Sequence, residues 1–199
     1  MSRIITRLEA TRSLIASLNG EPVVASLGHP AYDLFAALDR PENFYTWGSM
    51  GLASSIGLGL AVARPDLRVF VLDGEGSLLM NLGSLATIGW TKAQNLVLVV
   101  WDNEEYGTTG GQPSATAHGA DLAAAARSMG IEMTSIARDD LELKAAIARV
   151  RAAHGPAVIV AKVRESAPTA KPPLDCVFIK QRFMDAIGNR EASTRGVVK

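Results

Sequence analysis

The feature that most constrains the fold is the apolar run NLVLVVW at residues 95–101, which turn residues bound and which shows no alternation of polar and apolar side chains. A strand of this kind must be covered on both of its faces. A second apolar run, RVFVL at 68–72, precedes it, and a segment of helical length separates the two. Buried strands that alternate with helices are typical of a parallel sheet. The sequence therefore predicts an α/β fold, an open parallel sheet with helices on both faces.

The same alternation extends along most of the chain. Three further strands are predicted at PVVAS (22–26), EMTSI (132–136) and AVIVAKV (157–163). Helices are predicted at 4–18, 30–40, 49–64, 77–90, 120–130, 140–153 and 174–188, with a long polar loop at 102–119. We expect residues 1–165 to form one α/β domain. Residues 166–199 are expected to be a linker, a C-terminal helix and a tail that packs on this domain or extends from it.

Charge and composition restrict the partners that the chain can have. Its 20 basic and 20 acidic residues cancel to a formal net charge of 0, so no overall field attracts nucleic acid or an anionic membrane. The single cysteine, Cys176, excludes an internal disulfide, and the longest apolar stretch, 51–63, is too short and too rich in glycine to cross a bilayer. We therefore expect a cytoplasmic protein that binds neither nucleic acid nor membrane.

Polar residues follow two of the predicted strands at the point where each strand ends. DGEGS (73–77) follows RVFVL, and DNEEYG (102–107) follows NLVLVVW. Parallel neighbours would bring a carboxylate and an amide oxygen together beyond their carboxyl ends, where α/β sheets bind ligands. Such oxygens suit Mg²⁺, which one or two protein groups hold while phosphates and water complete its shell. Either motif alone could be an ordinary turn, but together they favour a metal that bridges to a diphosphate.

These motifs also carry a family resemblance. Gly74-Glu75-Gly76 followed by Asp102-Asn103 resembles the G-D-G…N-N signature of thiamine-diphosphate-dependent enzymes, whose diphosphate-binding domain is an α/β sheet of this size. More specifically, residues 44–89 and 95–114 resemble the sulfopyruvate and phosphonopyruvate decarboxylase group, and the similarity covers most of residues 22–165. The resemblance implies the thiamine-diphosphate-binding fold, with thiamine diphosphate and Mg²⁺ as cofactors.

The resemblance implies roles for individual residues. In the metal site, Glu75 and Asn103 would supply side-chain oxygens, and Glu105 would supply its main-chain carbonyl. The implied cofactor-binding residues are Gly48, Ser49, Met50, Gly74, Gly76, Ser77, Tyr106, Gly107 and Thr108. Among these, the amide of Gly76 and the side chain of Ser77 would hold the diphosphate. Met50 would support the bent cofactor, unless it is ordinary core filler.

Two residues are candidates for catalysis, His29 and Gln112. His29 follows the first predicted strand in LGHP, and it could offer a proton to an anionic substrate or be purely structural. Gln112 ends TTGGQ (108–112), which resembles a lid over diphosphate and substrate in the decarboxylase group and could otherwise be a simple flexible loop. His118, at the end of the polar loop, could likewise belong to the site or be purely structural. His154 lies near a helix end and is expected to cap that helix.

Two positions depart from the family pattern. Glu75 stands where the family usually has aspartate, and Asp102 stands in place of the first asparagine of the pair. Glutamate keeps the charge and the oxygen donors but is one methylene longer, so a weaker or altered metal preference is expected unless the turn compensates. Asp73 is an alternative ligand.

The sequence contains no second α/β unit. In the family that the chain resembles, a glutamate of a separate pyrimidine-binding domain activates the cofactor, and some relatives carry the two domains on different polypeptides. The resemblance therefore implies the diphosphate-binding, or beta, subunit of a hetero-oligomer whose alpha subunit supplies this glutamate. The expected reaction is decarboxylation of an anionic 2-oxo acid, with 3-sulfopyruvate favoured and 3-phosphonopyruvate next. A carboligase similar to acetolactate synthase and a non-catalytic, cofactor-binding regulatory subunit remain open.

Overall fold

A six-stranded parallel sheet forms the centre of the protein. The computed structural model describes the backbone of residues 4–194 and the side chains of residues 4–188. In chain order, the strands of this sheet and of a separate antiparallel hairpin are Val23–Ala25 (β1), Asn43–Tyr45 (β2), Val69–Gly74 (β3), Leu96–Asp102 (β4), Glu105–Tyr106 (β5), Gln112–Pro113 (β6), Met133–Ala137 (β7) and Ala157–Lys162 (β8). The sheet has the order β2-β1-β3-β4-β8-β7, and β5 pairs with β6. The predicted open parallel sheet is confirmed.

Helices cover both faces of this sheet. In chain order they are Arg7–Ala16 (α1), His29–Ala37 (α2), Ala53–Ala63 (α3), Glu75–Met80 (α4), Ser84–Thr91 (α5), Leu122–Ser128 (α6), Asp140–Ala152 (α7) and Cys176–Thr194 (α8). One core holds buried side chains of α1, α2, α7 and α8 together with Phe70 and Leu72 of β3. The other core holds those of α3 to α6 together with Val69 and Val71. Alternate residues of β3 thus enter opposite cores, because successive side chains of a strand point to opposite faces.

Several elements differ from the sequence prediction, among them the β5–β6 hairpin, which lies in the predicted polar loop at 102–119. The predicted helix 77–90 consists of two helices, α4 and α5, because Asn81 and Gly83 interrupt it. The side-chain amide of Asn81 instead donates to the main-chain oxygen of Gly51 over 3.0 Å, which fastens α4 to the turn before α3. Strand β2 was not predicted, since it is only three residues long and pairs with β1 alone.

The chain reverses its direction across the sheet between β1 and β3. β2 lies on one side of β1, whereas β3, β4, β8 and β7 lie on the other side. Ligands of open α/β sheets bind at such a switch point, beyond the carboxyl ends of the strands. The turns that lead from β1 into α2 and from β3 into α4 both reach this point, and the loop after β4 lies beside them.

Both ends of the described chain pack against the sheet. Thr6 pairs with Arg164 in a parallel bridge, so the segment before α1 lies beside the segment after β8. Helix α8 packs on the edge strand β2, where the rings of Phe183 and Phe44 lie 5.4 Å apart. It continues to Thr194, beyond the predicted end at residue 188, and the remaining part of the predicted tail, 195–199, lies outside the described residues. Within residues 4–194, no helix combines the length and the apolar character needed to cross a membrane.

Candidate functional site

A cleft opens at the switch point, beyond the carboxyl ends of β1, β3 and β4. Open α/β sheets bind their ligands at this position. Residues from both motifs of the sequence line it, together with the start of α2 and Arg7 of α1. The strand ends that were predicted to carry the chemistry therefore meet in one cavity.

All three predicted metal ligands, Glu75, Asn103 and Glu105, line this cleft. Glu75 is the first residue of α4 and is only 2% exposed, and its Oε1 has no hydrogen-bond partner among the described residues. The pKa of Glu75 is raised to about 7, chiefly by burial; the hydroxyl of Ser114 opposes this rise, and the nearby carboxylate of Asp102 contributes to it. A buried carboxylate with an unpartnered oxygen needs a proton or a cation.

The donor set fits Mg²⁺ better than a transition metal. The described residues contain no group of three or more His, Cys, Asp or Glu side chains that could enclose an ion. Asn103 and Glu105 line the cleft together with Glu75, and each carries a neutral oxygen, the side-chain amide oxygen or the main-chain carbonyl. One carboxylate and neutral oxygens leave places for phosphate oxygens and water, which is how Mg²⁺ is usually held.

Asp102, the second departure from the family pattern, is not a free ligand. It is 2% exposed, and its Oδ1 accepts hydrogen bonds from the hydroxyl of Thr116 (2.8 Å) and the amide of Glu104 (3.1 Å). Its Oδ2 lies 2.8 Å from the ammonium of Lys162. The strand register pairs Asp102 of β4 with Lys162 of β8, so the sheet itself provides the compensating charge.

Asp73, the alternative ligand, lies beneath the cleft and does not line it. Its side chain is fully buried, Oδ1 accepts from the amide of Gly74, and Oδ2 lacks a partner among the described residues. Burial raises the pKa of Asp73 to about 6, and the hydroxyls of Ser77 and Ser26 oppose this rise.

The predicted diphosphate-binding residues Gly74, Gly76 and Ser77 line the cleft at the start of α4. Glycine at position 76 leaves room for Tyr106, since a Cβ atom there would lie 2.5 Å from Cε1 of Tyr106 and one of the two would have to shift. Ser77 joins three loops: its hydroxyl accepts from the amide of Gly51 (3.0 Å) and lies 3.1 Å from the hydroxyl of Ser26.

The segment before α3 is placed only in part as expected. Met50 lines the cleft, whereas Gly48 and Ser49 are exposed and do not. Ser49 and Gly51 both have positive φ values, 64° and 90°, so the backbone turns sharply on either side of Met50. This turn gives the three neighbouring residues different directions, and only Met50 faces the cavity.

The β5–β6 hairpin covers one side of the cleft. Tyr106, Gly107 and Thr108 line the cavity, and Thr108 packs so closely on Gly28 that a Cβ atom at Gly28 would lie 2.6 Å from its Oγ1. Gln112, a predicted catalytic residue, is exposed on β6 and does not line the cleft. Its antiparallel pairing with Tyr106 places it on the returning strand, and the amide end of its side chain approaches Gly110.

The predicted catalytic residue His29 lines the cleft at the start of α2. Its Nδ1 lies 3.2 Å from Oε1 of Glu165. Burial and the charge of Arg7 lower the pKa of His29, although Glu165 acts in the opposite sense. His118 and His154 are exposed and do not line the cleft.

Several residues of the cleft were not predicted. They are Arg7, Ser26, Leu27, Pro30 and Trp101. Ser26 and Trp101 lie at strand ends, where a search of every predicted strand terminus could have found them. Arg7 gives no such signal, because it reaches the cleft only through the long-range pairing of Thr6 with Arg164.

Arg7 is the centre of a buried ionic network. Its side chain is 3% exposed, and Nε and Nη1 contact Asp33 and Glu165 at 2.5 Å each, while Nη2 donates to the main-chain oxygen of Ser166 at 2.8 Å. Burial acts to raise the pKa of Glu165, but the hydrogen bond and charge of Arg7 outweigh it and lower that pKa. Glu165 therefore stays ionised beside the cleft.

Comparison with known proteins identifies the family. Residues 29–161 match the model of the C-terminal TPP-binding domain of thiamine pyrophosphate enzymes. The chain belongs to this family. The resemblance to thiamine-diphosphate-dependent enzymes that was inferred from the two strand-end motifs is confirmed.

Three relatives show which proteins of this family the chain is similar to. The chain is 40% identical to sulfopyruvate decarboxylase subunit beta of Methanococcus maripaludis, over 92% of this chain and 98% of that one. It is 38% identical to the subunit of the same name from Methanocaldococcus jannaschii, over 91% and 96%. It is 34% identical to phosphonopyruvate decarboxylase of Streptomyces viridochromogenes, over 95% of this chain but 48% of the relative.

A solved structure supports the fold. Benzoylformate decarboxylase from Polynucleobacter necessarius aligns with 84% of this chain and 34% of its own chain, with a TM-score of 0.63 and 22% identity. At this identity the match establishes the shared α/β architecture, in agreement with the sheet described above.

Proposed function

We propose that the chain is the diphosphate-binding subunit of a thiamine-diphosphate- and Mg²⁺-dependent decarboxylase that converts 3-sulfopyruvate to sulfoacetaldehyde and CO₂. The observation that carries this proposal is the 40% identity to a sulfopyruvate decarboxylase beta subunit, which extends over 98% of that relative. The unpartnered carboxylate oxygen of Glu75 in the cleft supports it independently, since such a group is suited to hold a cation.

In this proposal, the chain holds the metal through Glu75, Asn103 and the carbonyl of Glu105, and it holds the diphosphate at the amide of Gly76 and the hydroxyl of Ser77. When bound, thiamine diphosphate supplies the electron sink that accepts the electron pair left by departing CO₂. Tyr106 and the hairpin cover the start of α4 and exclude water from it.

His29 is the proposed proton-handling residue of the cleft. It lines the cavity, and its lowered pKa favours the neutral ring, which can exchange a proton at neutral pH. Gln112 lies outside the cleft in this structure. We therefore propose a catalytic role for Gln112 only in a closed state of the hairpin.

The proposed enzyme needs a second subunit. Three relatives are named as beta subunits, and the described part of the chain contains a single large sheet. We assign the pyrimidine-binding domain and its activating glutamate to an alpha subunit in a hetero-oligomer. Among the residues that line the cleft, Arg7 is the only Lys or Arg and it already bonds Asp33 and Glu165, so the partner is the proposed source of further charge for an anionic substrate. A cytoplasmic location, with the exposed Cys176 kept reduced, remains part of this proposal.

The second candidate substrate is 3-phosphonopyruvate. The 34% identity to a phosphonopyruvate decarboxylase, across 95% of this chain, favours it over other 2-oxo acids. Sulfonate and phosphonate are both anionic groups at C3, and they differ in charge by about one unit at neutral pH. The electrostatic environment supplied by the partner would therefore decide between them.

The test is calorimetric titration of thiamine diphosphate with Mg²⁺ into the chain, alone and with a candidate alpha subunit, followed by measurement of CO₂ release from each substrate. Binding that requires Mg²⁺ and tightens with the partner, with faster release from sulfopyruvate, is expected. Faster CO₂ release from phosphonopyruvate would mean that phosphonopyruvate, not sulfopyruvate, is the substrate. Thiamine diphosphate binding that does not require Mg²⁺, or that is undetectable, would contradict the proposed function.

A further inference from the structure

Glu165 contacts two residues of the cleft with its two carboxylate oxygens. Its Oε2 accepts a hydrogen bond from Nδ2 of Asn103 over 2.7 Å, and its Oε1 lies 3.2 Å from Nδ1 of His29. We propose that Glu165 is a positioning residue that orients the amide of Asn103 towards the metal and fixes the ring tautomer of His29. This inference rests on the proposed function, because the role of Asn103 depends on the metal.

The carboxylate of Glu165 is itself held in place. The bridge between Thr6 and Arg164, together with the hydrogen bond from the amide of Arg7 to the oxygen of Arg164 (3.1 Å), sets Arg7 beside Glu165. The buried guanidinium then donates to Oε2 of Glu165 and is fixed from its other side by Asp33. A carboxylate with two donors on one oxygen has little freedom to rotate.

The contact with Asn103 determines which end of its amide faces the metal. An ionised carboxylate only accepts hydrogen bonds, so Asn103 must present its NH₂ group to Glu165. Its Oδ1 is therefore directed away from Glu165 and is free to serve as a ligand. Without Glu165, rotation about the last side-chain bond could present the NH₂ group instead, which cannot bind a cation.

The contact with His29 determines which ring nitrogen carries the proton. Because Nδ1 of His29 lies 3.2 Å from Oε1 of Glu165, the carboxylate favours a proton on this nitrogen, which leaves Nε2 as the free lone pair of the neutral ring. Gly107 passes close to this contact: a Cβ atom there would lie 3.2 Å from Oε2 of Glu165 and 3.3 Å from Nδ1 of His29. The hairpin thus packs against the pair and limits the movement of both side chains.

Neither Arg7 nor Glu165 belongs to residues 29–161, the part of the chain that matches the family model. The two residues proposed to position Asn103 and His29 therefore come from segments that flank the region matching the family model. These segments are the start of α1 and the residues that follow β8.

Two substitutions separate the two contacts. In Glu165→Ala both contacts are lost. In Glu165→Gln the side-chain oxygen should face the two donors, Arg7 and Asn103, which leaves the NH₂ group facing Nδ1 of His29. The glutamine therefore preserves the orientation of Asn103 but reverses the tautomer of His29. Glu132→Gln, at an exposed carboxylate far from the cleft, is the matched control.

In the complex with the alpha subunit, Glu165→Ala should weaken Mg²⁺ binding, measured by titration in the presence of thiamine diphosphate, by about 10- to 100-fold. Glu165→Gln should bind Mg²⁺ nearly as tightly as the wild type and yet share the loss of kcat seen in Glu165→Ala. The inference would be overturned if Glu165→Ala and Glu165→Gln lost the same amount of Mg²⁺ affinity, or if neither variant lost any.

A second readout needs neither cofactor nor turnover. In ¹⁵N NMR spectra of the full chain alone, His29 should carry its proton on Nδ1 in the wild type and in Glu132→Gln, and on Nε2 in Glu165→Gln. The side-chain amide protons of Asn103 should exchange with water faster in Glu165→Ala only. Unchanged spectra in both Glu165 variants would overturn this inference but leave the proposed function intact. Failure of the wild type to bind Mg²⁺ would instead overturn the proposed function, and with it the metal half of the inference.

Discussion

The ammonium of Lys162 lies 2.8 Å from the buried Oδ2 of Asp102, its register partner on the neighbouring strand. This pairing explains how a carboxylate can occupy the position where the family usually has asparagine. The extra charge is neutralised within the sheet, and Asn103 next to it is left to face the cleft.

The pair makes a prediction about stability. Lys162→Met should lower the free energy of unfolding by about 3 kcal/mol, because it leaves the buried carboxylate of Asp102 without its cation. Addition of Asp102→Asn to this variant should recover most of the loss, and urea denaturation measures both. A double variant as unstable as Lys162→Met alone would show that Lys162 does not act through this charge.

Glu75→Gln should abolish Mg²⁺-dependent binding of thiamine diphosphate and also stabilise the metal-free chain by about 1–3 kcal/mol, because it removes a buried charge with one oxygen that lacks a hydrogen-bond partner among the described residues. Burial raises the pKa of Glu75 to about 7, above about 4 in the unfolded chain, so wild-type stability falls as the pH rises through this window. The gain should therefore be larger at about pH 8 than at about pH 5.

Titration calorimetry and urea denaturation at the two pH values test both effects. Glu75→Asp, which restores the residue usual in the family, is the matched control and should keep metal-dependent binding. If Glu75→Gln binds the cofactor with undiminished dependence on Mg²⁺, Glu75 is not a ligand.

Gly76→Ala should weaken thiamine diphosphate binding by about 10- to 100-fold, since the added methyl group would displace Tyr106, whose Cε1 would lie 2.5 Å away. Gly59→Ala, where a Cβ atom meets nothing within 4 Å, should leave binding unchanged. Equal affinities of the two variants in calorimetric titration would mean that Tyr106 moves aside without cost.

Phe183→Ala should destabilise the chain by about 3–5 kcal/mol, because Phe183 is 7% exposed and packs on Phe44 of the edge strand. Val177→Ala, on the same helix but 76% exposed, should have little effect. Thermal and urea denaturation of both variants would show whether α8 is an integral part of the domain, and similar stabilities would mean that α8 is only loosely attached.

The central sheet could be predicted because its strands are continuous apolar runs, and runs such as 95–101 are interpretable from sequence alone. β2 could not, since its three residues become a strand only by pairing with β1. The break between α4 and α5 was missed because the side-chain amide of Asn81 donates to Gly51 and Ser55, which lie 30 and 26 residues earlier in the chain.

The residues of the cleft likewise divide into those with a local sequence signal and those placed by contacts distant in the chain. Glu75 and Asn103 could be predicted because they directly follow strands, and strand ends define the ligand-binding edge. Gly48 and Ser49 lie in a loop and Gln112 lies on the short strand β6, and the backbone turn at Ser49 and the hairpin pairing of Gln112 decide which way these residues face. Glu165 gave no local signal at all, because its partners are brought to it by chain pairing across the whole domain.

The pairing of Arg7 with Glu165 also has a consequence for biosynthesis. These residues are separated by nearly the entire domain, so a nascent chain can assemble most of its sheet before the second of them has left the ribosome. The orientation of Asn103 and His29 is then completed only when β8 is in place. A truncated product that ends before Glu165 could still collapse around its apolar strands, but its cleft would lack the contacts that set these two side chains, so an unfinished polypeptide would be a poor competitor for the cofactor.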